Sequence, residues 1–173
     1  MISLSVLFYI LIFLFVMIGA LRGWAKEVLV CFAGILALAI IEVVLPKIAP
    51  GLAPDKAFLV KVLILAGCAF IGYQTPALRR FMDTGRFERA SFRDVIMGAL
   101  LGAVNGYIFV GSTLYFLAAA AYPFSQVIPP DGATEAGSAA IRIVSTALPN
   151  YLHAPVIYYA LILGSLIVIG VFI

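Results

Sequence analysis

Three polar residues inside the apolar parts of this sequence could do chemistry: Glu42, Asn105 and His153. Glu42 lies 14 residues beyond Val28, about 21 Å along an ideal helix, which places it near the outer end of a membrane span. A carboxylate there could bind a proton or a cation. The pattern favours an ordinary interfacial residue, because no second acidic residue of the membrane interior is available to form a relay with it.

Residues that could bind a cofactor or a metal are scarce. His153 is the only histidine, so the chain cannot hold a haem between two histidines. It is a weak candidate for an axial ligand to a pigment, and its position just before Pro155 favours an interfacial histidine. Cys31 and Cys68 lie in apolar runs and are expected to be small buried side chains rather than a disulfide framework or zinc cluster. We predict no metal site and no required cofactor. We expect bound lipid, and a bound carotenoid or chlorophyll-type pigment stays open.

No arrangement typical of a membrane enzyme is present in the sequence. It lacks H-E-x-x-H, paired intramembrane aspartates, G-x-S-x-G and a lysine in the centre of a span that could form a Schiff base. We therefore predict no catalytic residues and no enzyme activity.

The composition excludes a soluble globular domain. Of 173 residues, 65% are hydrophobic and 11% are charged, and the mean hydropathy is +1.18. Soluble domains are about 45–50% apolar and about 25% charged. The composition predicts an all-α integral membrane protein with one transmembrane domain over residues 1–173.

Apolar runs of about 20 residues with few charges locate the spanning helices. They predict five spans, at about 2–20, 28–45, 60–78, 95–121 and 155–173. Pro46 is expected to end the second span, and Ser91 with Asp94 predicts a capping box before the fourth. The third span contains Gln74 and Pro76, and if it is re-entrant the chain has four spans.

Residues 123–154 are predicted to form an external loop with a short amphipathic helix on the membrane surface. The helical spacing of its apolar positions indicates that helix, and Pro149 is expected to end it. The apolar positions are Gly137, Ile141, Val144 and Leu148.

The distribution of Lys and Arg predicts the orientation. Loops on one side carry seven of these residues against four on the other, which places the N-terminus outside and the C-terminus in the cytoplasm. Five arginines of the loop before the fourth span are expected to contact anionic lipid, not nucleic acid. They are Arg79, Arg80, Arg86, Arg89 and Arg93.

Glycines at intervals of four create a packing face on the fourth span. Gly98, Gly102 and Gly106 share one side of the helix, where another backbone could approach closely, and Asn105 could hydrogen-bond across the contact. The partner is either another helix of the same chain, or a second copy or another membrane protein.

A short polar turn joins the first two spans. Gly23 permits a tight turn, Arg22 and Lys26 can extend to lipid phosphates, and the helix dipole favours Glu27 in the first turn of the next helix. The residues of the turn that form a motif are Gly19, Arg22, Gly23, Trp24, Lys26 and Glu27.

This turn resembles the signature of the colicin V production protein family, which places G-x-x-R-G, an aromatic residue, a basic residue and Glu between its first two membrane helices. The stretch from Arg93 to Gly106 is similar to a later helix of that family, which begins with an acidic residue, here Asp94, and continues with glycines at intervals of four. The resemblance covers about residues 1–120, and residues 123–154 and the last helix lie outside the pattern.

The resemblance implies a bacterial inner-membrane protein with an export- or envelope-related role in toxin biosynthesis. A second hypothesis is an accessory subunit of a large photosynthetic or respiratory membrane complex that packs helices, lipids or pigments. The scarcity of intramembrane charge disfavours a small channel or carrier.

Overall fold

The computed structural model describes residues 3–74 and 91–173. Within these ranges the chain is helical and has no strand. Four helices are long and apolar enough to span a membrane: α1 (Leu4–Arg22), α2 (Trp24–Ile48), α3 (Pro54–Tyr73) and α4 (Phe92–Ala119). They are followed by α5 (Glu135–Thr146) and by α6 (Val156–Phe172), an apolar helix of 17 residues. The predicted all-α membrane architecture of four to five spans is confirmed.

Helix α2 continues past Pro46, although the proline is predicted from the sequence to end it. A single π-helical turn over Ile40–Val44 precedes the proline, and the amide of Leu45 donates to the carbonyl of Ile40, five residues back. Because Pro46 has no amide hydrogen to donate to the carbonyl of Glu42, the normal helical pattern is lost here in any case. The wider turn absorbs this defect, and the helix runs on to Ile48.

The starts of α3 and α4 are set by local residues. Helix α3 begins at Pro54, earlier than predicted, because a proline is well accommodated in the first turn of a helix. Ser91 and Asp94 form the predicted capping box of α4, in which the carboxylate of Asp94 accepts from the amide of Ser91 at 3.2 Å. Helix α4 also contains a π-helical turn, over Tyr107–Gly111.

The amphipathic helix α5 begins where Thr134 accepts from the amide of Gly137 at 3.0 Å. Its buried face differs from the prediction: Gly137, Ala140 and Ile143 are buried, while Ile141 is exposed. The reason is that α5 packs against α1 of the bundle, so contact with that helix selects the face. Pro149 lies in a short 3₁₀ turn just after α5.

Helix α2 lies at the centre of the bundle and packs against α3, α4 and α6. Its residues Val30, Ala37 and Leu38 are buried, and Ile157 at the start of α6 is fully buried against this core. Helix α1 packs along α4. Elsewhere α1, α3 and α6 expose large apolar side chains, as expected where helices face lipid.

Candidate functional site

The reversal between α1 and α2 is made by a single residue. Arg22 ends α1, Trp24 begins α2, and Gly23 between them has φ +85° and ψ 154°. Only glycine adopts that conformation without strain. The amide of Gly23 donates to the carbonyl of Gly19 at 3.0 Å and closes the end of α1. This turn brings the side chain of Arg22 next to the first turn of α2.

Glu27, in that first turn, is completely buried. Its Oε1 forms an ion pair with Nη1 of Arg22 at 2.9 Å. The other end of the guanidinium donates from Nη2 to the carbonyl of Tyr73 at 3.1 Å, and the guanidinium carbon lies 4.5 Å from the centre of the Tyr73 ring. Because Tyr73 is the last residue of α3, its carbonyl has no partner within the helix. Arg22 thus connects α1, α2 and α3.

Asn105 of α4 completes the network. It is completely buried, and its Nδ2 donates to Glu27 Oε2 at 2.8 Å and to the backbone carbonyl of Glu27 at 3.0 Å. Both carboxylate oxygens of Glu27 therefore have partners. The Oδ1 of Asn105 and the hydroxyl of Tyr73 are buried without a hydrogen-bond partner among the described residues. The four residues Arg22, Glu27, Tyr73 and Asn105 are called the polar network below.

The glycines of α4 position Asn105. A methyl group added at Gly102 would collide with the carbonyl oxygen of Phe15, and one added at Gly98 would collide with that of Gly19. At Gly106 it would lie 2.9 Å from the Cβ of Phe15. Helices α1 and α4 are thus in backbone contact along the glycine face. A partner that used the same face would have to displace α1.

The pattern of the colicin V production protein family matches residues 4–149. The chain belongs to that family. The match runs from the start of α1 through α5, and thus extends beyond residue 120 into the loop that the resemblance had left outside. Residues 1–3 and 150–173 lie beyond the match, and the second range contains α6. No curated protein and no solved structure matches the chain.

The residues that resemble the colicin V production signature occupy one end of the bundle. Gly19 and Gly23 shape the contact and the turn, and Arg22 and Glu27 form the ion pair described above. Trp24 lies with Arg93, Asp94 and Met97 around a cavity of about 340 Å³. Lys26 lies half-buried in the first turn of α2. The expectation that Arg22 extends to lipid phosphates was wrong. Its guanidinium binds Glu27 and the carbonyl of Tyr73 within the bundle.

Of the five arginines predicted to contact lipid, the structure describes Arg93, which is exposed. The others, Arg79, Arg80, Arg86 and Arg89, lie outside the described residues. So does Pro76, and with it the predicted end of the third span.

Glu42 and His153 meet at the opposite end of the bundle. Nδ1 of His153 lies 2.8 Å from Oε1 of Glu42, and both side chains are about half exposed. This pair joins the π-helical turn of α2 to the segment before α6. Since Nδ1 is occupied, only Nε2 of His153 could bind a pigment in this arrangement.

Three members of the polar network are recognisable in the sequence as polar residues of interest, but their sequence positions do not indicate that they lie together. Glu27 was explained by the helix dipole and Arg22 by lipid phosphate, and Asn105 had no assigned partner. Tyr73 was not singled out. One signal was available: a carboxylate and an amide in otherwise apolar helices each need a partner, because burial without one is costly.

Proposed function

We propose that this chain is a non-enzymatic protein of the bacterial inner membrane that serves an export or envelope process through contacts with other membrane proteins and lipid. The family name, which refers to production of colicin V, supports a role in the delivery of an exported toxin. The helical membrane architecture supports action within the bilayer.

The observation that carries the proposal is that both carboxylate oxygens of Glu27 accept hydrogen bonds from other helices. A charged residue inside a membrane protein usually marks an ion or substrate pathway. Here the carboxylate is completely buried, and both of its oxygens are bound by Arg22 and Asn105. An acid in this state holds helices together, and a proton or a substrate that bound to it would have to compete with these bonds. The Arg22–Glu27 ion pair therefore stabilises the packing of the helices, and we place the function on the outer surface of the bundle.

The localisation follows from the charge distribution. We propose that the N-terminus and the Glu42 end of the bundle face outward, and that the polar network and the C-terminus lie toward the cytoplasm. Support comes from the Lys and Arg residues, of which seven lie in the loops assigned to the cytoplasm and four in those assigned to the outside.

A second candidate function is that of an accessory subunit in a larger membrane complex, and α6 favours it. This helix lies beyond the family match, packs on α2 through one side, and exposes a row of large apolar side chains on the other. They include Tyr158, Tyr159, Leu163 and Leu166. A helix added outside the shared family region is a natural place for a contact specific to this protein. A pigment near His153 would belong to this second candidate, whereas bound lipid is expected for both.

Two experiments test the proposal. The full chain reconstituted in liposomes with an internal pH dye should give no proton flux above that of empty vesicles. A flux that disappears in Glu27→Gln would overturn the non-transport role. In cells that lack the chain, release of an exported peptide toxin should fall, the wild-type chain should restore it, and Arg22→Met should not. Unchanged release would count against the export role.

The accessory role is tested by purification in a mild detergent, with mass spectrometry of co-purifying proteins and a visible absorption spectrum. Tyr159→Ala on α6 should remove a stoichiometric companion, whereas Phe13→Ala, equally exposed on α1, should retain it. A colourless preparation with no companion would exclude this second candidate.

A further inference from the structure

A cavity of about 290 Å³ lies at the Glu42 end of the bundle, between α2, α3 and α4. Its walls combine apolar and aromatic side chains with one acidic and one basic residue. The lining includes Ile41, Glu42, Leu45, Lys61, Tyr115 and Phe116. This cavity is referred to below as the outer cavity, and it is separate from the polar network.

Glu42 presents a free carboxylate oxygen at the outer cavity. His153 holds its Oε1 at 2.8 Å, and no hydrogen bond to its Oε2 is formed by any residue that the structure describes. The residue lies in the π-helical turn of α2, a type of turn that is frequent at functional sites. Glu42 is therefore oriented by His153 and still able to accept a hydrogen bond.

Lys61 brings a positive charge to the same cavity. Its Nζ lies 4.9 Å from the centre of the Phe116 ring, and within residues 3–74 and 91–173 it forms no ion pair. Glu42 and Lys61 thus line one cavity with opposite charges that do not neutralise each other. A ligand that fits both carries an ammonium group and an anionic group a short distance apart.

Both charges lie in the outer halves of their helices, from which their side chains can extend toward the lipid headgroups. Glu42 is six residues before the end of α2 at Ile48, about 9 Å along the helix, and Lys61 is seven residues after Pro54, about 10 Å along α3. A bilayer has about 30 Å of hydrocarbon within a total thickness of about 40–45 Å, so residues near the ends of such helices lie close to the interface. Long side chains at this depth extend toward the headgroups.

We propose that the outer cavity binds the headgroup of a phosphatidylethanolamine lipid. Lys61 binds the phosphate, and Glu42, oriented by His153, accepts a hydrogen bond from the primary ammonium group. The acyl chains then lie along the apolar outer surfaces of the helices. Phosphatidylcholine has no N–H group to donate to Glu42, and phosphatidylglycerol has no positive charge to offset it. The site therefore selects ethanolamine over both.

Native mass spectrometry of the delipidated full chain tests this proposal. The protein is incubated with an equimolar mixture of dioleoyl phosphatidylethanolamine, phosphatidylcholine and phosphatidylglycerol, and the bound lipids are compared within one sample. We expect one phosphatidylethanolamine to be retained at collision energies that remove the other two. Lys61→Met and Glu42→Gln should each reduce this preference about tenfold, which corresponds to about 1.4 kcal/mol.

Three variants make the result specific. Lys56→Met removes a lysine from the exposed surface of the same helix and should leave the preference unchanged. Lys61→Arg should keep phosphate binding and therefore retain the lipid. His153→Ala should weaken the preference less than Glu42→Gln, because it loosens the carboxylate without removing it. Since a site lost by partial unfolding would also lose the preference, Lys61→Arg, which keeps the charge, controls for that effect.

Equal retention of the three lipids would overturn the proposal, because it would show ordinary lipid solvation of the helices. Retention of phosphatidylglycerol in place of phosphatidylethanolamine would show that Glu42 does not select the headgroup. An equal loss of preference in Lys56→Met would remove the assignment to the outer cavity. Displacement of the lipid by micromolar glycerophosphoethanolamine would indicate a site for a water-soluble ligand and would also overturn the lipid assignment.

Discussion

The side-chain amide of Asn105 donates to the carboxylate of Glu27 at 2.8 Å, although the two residues are 78 positions apart in the chain. This bond joins α4 to α2, and through Glu27 it extends to Arg22 of α1 and to the end of α3. Four of the helices thus meet in one buried network of hydrogen bonds. The consequences of removing its members follow from the cost of an unpaired charge in a medium of low dielectric constant.

Arg22→Met should strongly destabilise the protein, because it leaves the buried carboxylate of Glu27 without its positive partner. Breaking a buried ion pair from one side costs about 3–5 kcal/mol. The double variant Arg22→Met with Glu27→Leu should recover much of this loss, since it removes both charges. Thermal unfolding in a mild detergent, followed by the fluorescence of Trp24, the single tryptophan, measures the effect.

Lys47→Met is the matched control for Arg22→Met, because Lys47 is exposed near the other end of α2. It should melt like the wild type. A loss in Arg22→Met no larger than in this control would show that the ion pair does not contribute to stability.

Gly102→Ala should destabilise the contact between α1 and α4. Its added methyl group meets the carbonyl of Phe15, and overpacking of this kind costs about 1–3 kcal/mol. Gly67→Ala on α3 is the control, since nothing lies within 4 Å of a methyl group at that position. Equal melting temperatures for the two variants would contradict the close approach of the backbones.

Gly23→Ala should also be destabilising, but for a different reason. No atom lies within 4 Å of a methyl group there, so the cost comes from the backbone, whose φ of +85° strains any other residue by about 1–3 kcal/mol. Gly170→Ala, which is equally open and lies in a regular helix, should have little effect. If Gly23→Ala melts like Gly170→Ala, the one-residue reversal between α1 and α2 is not required.

Cysteine labelling tests the proposed orientation. In a background in which Cys31 and Cys68 are replaced by alanine, a cysteine at Ser138 should react with an impermeant maleimide added outside the inner membrane. A cysteine at Thr84 should react only after the membrane is opened. Labelling of Thr84 alone in intact cells would reverse the orientation.

Much of the fold follows from short-range patterns. The apolar runs locate the helices, because a spanning segment needs about 20 apolar residues whatever its neighbours are. Gly23 marks the turn, since only glycine fits a reversal of one residue, and Ser91 with Asp94 marks the start of α4. These features depend on residues within a few positions of one another, and the family resemblance rests on the same local motifs.

The partners of the polar residues are decided by the tertiary structure. Arg22 could bind either a lipid phosphate or a carboxylate. The turn at Gly23, together with the packing of α2 against α3 and α4 that buries Glu27, selects the carboxylate. The buried face of α5 is likewise chosen by contact with α1, which is why Ile141 is exposed. Pro46 stays within a helix because a π-helical turn absorbs its missing hydrogen bond. Each of these outcomes depends on how helices pack in three dimensions. The spacing of residues along one helix does not predict that packing.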